Sequence, residues 1–193
     1  MRGAACWALV VVGMGLALAS PGRAADPAPG ATADGWVGFS LTVGKPWGKA
    51  ALNQYAVPGV ARCAWSGPGA ANVVVFLQEP GTAVDPREML DGSVTHLTKA
   101  FGVTASVATV RTVGGMRAMD MVVAGKGTGG ALDGKGGTDT TQHWVAVPRE
   151  RDVVVVLLSC PTAEYPELAK SFDAAVASLK IEGTQTAEQK AAK

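Results

Sequence analysis

His96 and His143 are the only histidines in this 193-residue chain, and Cys63 and Cys160 are two of its three cysteines. A metal site or an activated nucleophile would have to be built from these side chains. Zinc needs three or four His, Cys or carboxylate ligands brought together at recognisable spacings, and no short spacing joins these four. A nucleophilic Cys63 or Cys160 with His143 as base is the one arrangement of that kind the residue types permit. There is no Gly-x-Ser-x-Gly elbow, and Ser66 falls in a turn with Gly67-Pro68-Gly69. For paired-carboxylate chemistry, Asp120 on an otherwise apolar strand is the suggestive member; its alternative role is to pair with Arg117 or with Arg111 of a neighbouring strand. The reading assigns no catalytic residue, no metal ligand and no cofactor, and expects a protein that is not an enzyme.

Gly129-Gly130-Ala131-Leu132-Asp133-Gly134-Lys135 matches the first part of a phosphate-binding loop. The match fails at Gly136, where Ser or Thr would ligate magnesium. A strand is expected to follow, so the helix N-terminus that would face a phosphate is missing. Gly125–Gly137 is therefore expected to be a mobile hairpin tip. Trp47, in the loop Gly44-Lys45-Pro46-Trp47-Gly48, has two readings. It is an exposed recognition residue flanked by Lys45 and Lys49, or an indole folded back to plug the sheet edge. Trp65 and Trp144 are expected to be core anchors.

Arg2, the apolar run Cys6–Ala19 and the small residues around Ser20-Pro21-Gly22-Arg23-Ala24 have the form of a cleaved export signal. The run is shorter than the roughly 20 residues a bilayer span needs. Export leads to a periplasmic or extracellular location, with no transmembrane span after cleavage. Cys6 leaves with the signal, and an even pair remains. The expectation is a Cys63–Cys160 disulfide, with two buried free thiols as the alternative. Without Arg2 and Arg23 there are 15 Lys plus Arg against 16 Asp plus Glu, a formal charge of −1. That balance, with scattered basic residues, argues against nucleic acid as a partner.

These residues must be positioned by a single domain. Residues 1–24 are read as the signal, 25–35 as a flexible linker, 36–182 as the domain and 183–193 as a disordered tail. Trp36–Val43, Val60–Trp65 and Asn72–Gln78 read as strands. Asp85-Pro86-Arg87-Glu88 starts a helix, whose stripe Leu90, Val94, Leu97, Phe101 runs to Gly102. Val103–Val113 and Met116–Ala124 are strands about Gly114-Gly115. Thr140–Val147 and Asp152–Ser159 follow, then a helix with Leu168, Phe172, Ala175, Val176 and Leu179 on one face. The continuous apolar strands Val73–Leu77 and Val153–Leu158 need cover on both faces. The expected fold is α/β (α+β): a mainly antiparallel, six- to seven-stranded sheet flanked by helices on both faces, in βββαββββα order.

That order resembles the PsbP/DcrB-like family of small exported α/β/α sandwich domains. The likeness is carried by Gly38-Phe39-Ser40-Leu41 before Pro46-Trp47, by Val113-Gly114-Gly115-Met116-Arg117-Ala118, and by Phe172-Asp173 with Ser178-Leu179-Lys180. The resemblance implies a non-catalytic accessory or binding protein of the cell envelope, whose partner is an envelope protein or a small apolar ligand. The alternative is an extracytoplasmic hydrolase with dispersed catalytic residues; titratable side chains converging in one pocket would distinguish it.

Overall fold

The computed structural model describes residues 31–32, 39–52, 61–78, 85–128, 131–134, 137–150 and 152–181. The segments read as signal and tail, and Trp36–Gly38 of the first expected strand, lie outside them. Four short strands come first: β1 (Ala31–Thr32), β2 (Phe39–Ser40), β3 (Thr42–Val43) and β4 (Gly48–Lys49). The hairpin expected about Ser66–Gly69 is β5 (Ala61–Ser66) and β6 (Asn72–Gln78).

The first helix, α1 (Pro86–Phe101), begins where its cap is written. The Asp85 carboxylate accepts from the Arg87 N–H at 2.8 Å, Pro86 fills the first turn, and Gly102 ends the helix at φ 65°. β7 (Thr104–Ala105), β8 (Thr109–Val113), β9 (Met116–Thr128), β10 (Ala131–Leu132), β11 (Thr138–Pro148) and β12 (Val153–Pro161) follow, then α2 (Tyr165–Ala177) and β13 (Lys180–Ile181). Gly114 and Gly115 make the two-residue turn between β8 and β9 at φ 56° and 80°, angles that branched side chains reject.

Among the described residues the main sheet has nine strands, all paired antiparallel, in the order β10-β9-β11-β12-β6-β5-β4, with β7 and β8 also on β9. Two apolar clusters use alternate residues of one strand. Val154, Val156 and Leu158 pack with Leu168, Phe172, Ala175 and Val176 of α2; Val153 and Val155 pack with Met89, Leu90 and Leu97 of α1. Successive strand residues point to opposite faces, which is why the β12 run is apolar without a break.

The chain departs from expectation in four places. The sheet exceeds the expected six or seven strands because β4, β7 and β10, of two residues each, extend it. The described residues of the expected first strand do not pair with this sheet: β2 pairs with β13 and β3 with β1. Phe39, Leu41 and Val43 instead feed the cluster beneath α2, and the Thr42 N–H donates to Ser178 Oγ at 2.9 Å. Ala31–Thr32, inside the segment read as a flexible linker, is β1. The strand expected over Val103–Val113 is broken between β7 and β8, where the register against β9 shifts by one residue.

Candidate functional site

Three strands and α2 bring one set of polar side chains together. Thr109 pairs with Asp120, and Asp120 pairs with Val145, so Arg111 on β8 and His143 on β11 are diagonal neighbours of Asp120 on the same face of β9. Asp120 Oδ1 lies 2.9 Å from His143 Nε2, and Asp120 Oδ2 accepts from Arg111 Nη1 at 3.1 Å. Arg111 Nη1 also donates to Asp173 Oδ1 at 2.6 Å, and Tyr165 Oη lies 3.2 Å from His143 Nδ1. Asp173 and Tyr165 both belong to α2. The His143 ring packs on Phe172, with centroids 4.8 Å apart.

The chemistry orders these bonds. An ionised carboxylate only accepts, so Nε2 carries the proton toward Asp120; in the neutral ring Nδ1 then accepts from the Tyr165 hydroxyl. Burial alone would raise the Asp120 pKa, but hydrogen bonds and attraction from His143 and Arg111 outweigh it and hold the carboxyl below its ordinary value. Burial likewise opposes charge on Arg111, and the bonds and charges of Asp173 and Asp120 override it, raising its pKa. Burial pushes the Tyr165 phenol up, and the negative charges of Asp120 and Asp173 add to the rise. His143 keeps 7% of its side-chain surface and Asp120 18%, so each nitrogen of the ring and each oxygen of Asp120 faces a protein partner. Of the two arginines weighed for Asp120, Arg111 supplies the bond, while Arg117 is exposed on β9.

The remaining candidates lie apart. Trp47 is 2% exposed, and its indole N–H donates to Ser171 Oγ on α2 at 2.9 Å. It is the plug of the two readings, because burial removes the ring from any partner. A methyl group at Gly67 would collide with that ring. Lys45 and Lys49 are exposed on either side of it. Trp65 is fully buried and Trp144 half-buried against the α1 cluster.

Cys63 and Cys160 are buried free thiols, which corrects the expected disulfide. Cys63 is opposite Val75, and Val75 is opposite Val156; Cys160 is four residues beyond Val156 on β12. That places the two about 13 Å apart along the strands and about 10 Å across them, whereas a bridge needs Cα atoms within about 7 Å. Burial pushes each thiol up to about 12. Neither has the thiolate character a nucleophile requires. Two free thiols are expected by titration of the denatured, unreduced protein and almost no reaction in the native state; a denatured sample with none would contradict this strand register.

Within the glycine-rich segment, the described residues extend the sheet. Gly125–Thr128 continue β9, Leu132 is buried, and β10 folds back on β9. β11 begins at Thr138, so a strand stands where a phosphate loop would place its helix.

Asp120 was visible in the sequence as a polar residue on an otherwise apolar strand, and His143 as one of only two histidines. Tyr165 and Asp173 were not singled out. Their signal was helical: Tyr165, Phe172 and Asp173 fall on the side of α2 that carries Leu168 and Val176.

No family model matches this chain, and no curated protein does. Solved structures do. Cyanobacterial PsbP (CyanoP) from Synechocystis is similar at a TM-score of 0.54 and 17% identity, over 85% of this chain and 98% of that one. PA94, a protein of unknown function from Pseudomonas aeruginosa, is similar at a TM-score of 0.51 and 14% identity, over 81% of this chain and all of the other, 100%. The chain has a PsbP-like fold.

Proposed function

We propose that this chain is an exported, non-catalytic accessory or binding protein of the cell envelope, released from its signal after Ala24, with one helix on each face of the sheet. Its partner is an envelope protein or a small apolar ligand. The observation that carries the non-catalytic reading is the closed chain Tyr165–His143–Asp120–Arg111–Asp173. It joins α2 to β8, β9 and β11, and both oxygens of Asp120 and both ring nitrogens of His143 are spent within it. The N-terminal signal pattern supports export, and the PsbP-like fold is compatible with the reading without naming a partner.

One observation favours the hydrolase alternative. Phenol, imidazole and carboxylate stand in the order of a nucleophile, a base and an orienting group. Against it, burial and the charges of Asp120 and Asp173 raise the Tyr165 pKa, which disfavours the phenolate.

A panel of ester, phosphoester and peptide substrates tests the choice. The expected result is no turnover that depends on Tyr165 or His143. Turnover lost in both Tyr165→Phe and His143→Asn, with folding retained, would establish the enzyme. Intact mass of protein from the extracytoplasmic fraction should begin at Ala25; a mass retaining residues 1–24 would remove the export reading.

A further inference from the structure

We propose that the outer edge of β8 is a self-association site, where a second copy of this chain adds an antiparallel strand with Val110 opposite its own counterpart. This goes beyond the accessory reading and rests on β8 alone. An edge strand with unpaired N–H and C=O groups is a template for another strand, and proteins ordinarily blunt such edges with lysine, proline or very short length. Among the described residues β8 pairs only with β9, and its five residues, TVRTV, contain neither proline nor lysine. Its single charge is not available as a guard, because Arg111 is drawn onto the α2 side by Asp120 and Asp173. Val110 is left 53% exposed and Val107, just before the strand, 78% exposed.

The register follows from the turn. Val113 and Met116 close the two-residue Gly114–Gly115 turn as a hydrogen-bonded pair. Bonded and non-bonded pairs alternate, so Arg111 and Thr109 also bond to β9, while Val110 and Thr112 turn their backbone groups outward. A two-fold axis at Val110 therefore creates a hydrogen-bonded Val110–Val110 pair and sets Thr109 opposite Arg111 of the second copy. An axis at Arg111 would set two arginines directly opposite each other. An axis at Thr112 would run into the turn. The register shift between β7 and β8 ends the ladder near Ala108, so the junction is short.

Sedimentation equilibrium of the purified protein over a concentration series tests this. The weight-average mass should rise toward twice that of one chain. Val110→Lys, which opposes like charges at the axis, should weaken the dimer at least about tenfold with an unchanged melting temperature. In a second measurement, mild oxidation should cross-link Val110→Cys, whose Cα atoms would lie about 5.5 Å apart. Thr112→Cys, about 13 Å from its copy, should not cross-link. The native thiols are buried and stay out of the reaction. A one-chain mass at every concentration, a dimer indifferent to Val110→Lys, or equal cross-linking at both positions would overturn the proposal.

Discussion

Replacing Trp47 by alanine is expected to cost about 3–5 kcal/mol of stability, seen as a fall in melting temperature on the order of 10 °C. The indole is 2% exposed and belongs to the cluster beneath α2. Truncation therefore leaves a cavity between the β3–β4 loop and the helix, and it strips Ser171 Oγ of the donor 2.9 Å away. Ser171→Ala removes only that hydrogen bond and should cost about 1 kcal/mol. The contrast separates packing from hydrogen bonding. A Trp47→Ala protein that melts within two or three degrees of its parent would show that the loop does not seat the ring as described.

Asp120→Ala should be nearly as damaging, at about 3 kcal/mol near neutral pH, because it leaves His143 and part of Arg111 buried without the carboxylate that satisfies them. The effect has a defined pH dependence. Asp120 titrates lower in the folded chain than its ordinary value of 3.8. Its ionised form is thus favoured by folding, and the stabilisation is fully present above the unfolded-state value. As pH falls below that value and through the folded one, the unfolded chain binds the proton more readily and the advantage is lost. Unfolding free energies of parent and variant should therefore run parallel from neutral pH down to about pH 5 and converge below about pH 4. A difference that stays constant into acid would mean that the Asp120 charge contributes nothing and that the cost is steric. Tyr165→Phe provides the comparison within the same network: it removes one hydroxyl hydrogen-bonded to His143 Nδ1, and about 1 kcal/mol is expected.

The cap at Asp85, the stop at Gly102, the turn at Gly114-Gly115 and the apolar face of α2 were all legible in the chain. Each depends on residues within one or two turns of each other: a carboxylate reaching an amide two residues on, a glycine at positive φ, or a repeat near 3.6 residues. The alternation that divides β12 between two clusters follows equally from the twofold period of a strand. What remained open turned on register and long-range placement. Asp120 could have met Arg111 or Arg117 until the pairing Thr109 with Asp120 set the diagonal, and His143 joined them only because β11 lies on the other edge of β9. The cysteines looked like a bridge because their number was even, yet two intervening strand spacings and four residues of offset separate them. Trp47 was balanced between surface and core until Ser171, 124 positions away, closed over it. Backbone preferences act between near neighbours and are written locally; distances between side chains on different elements are set by how the sheet and α2 pack together, and the folded chain alone decides them.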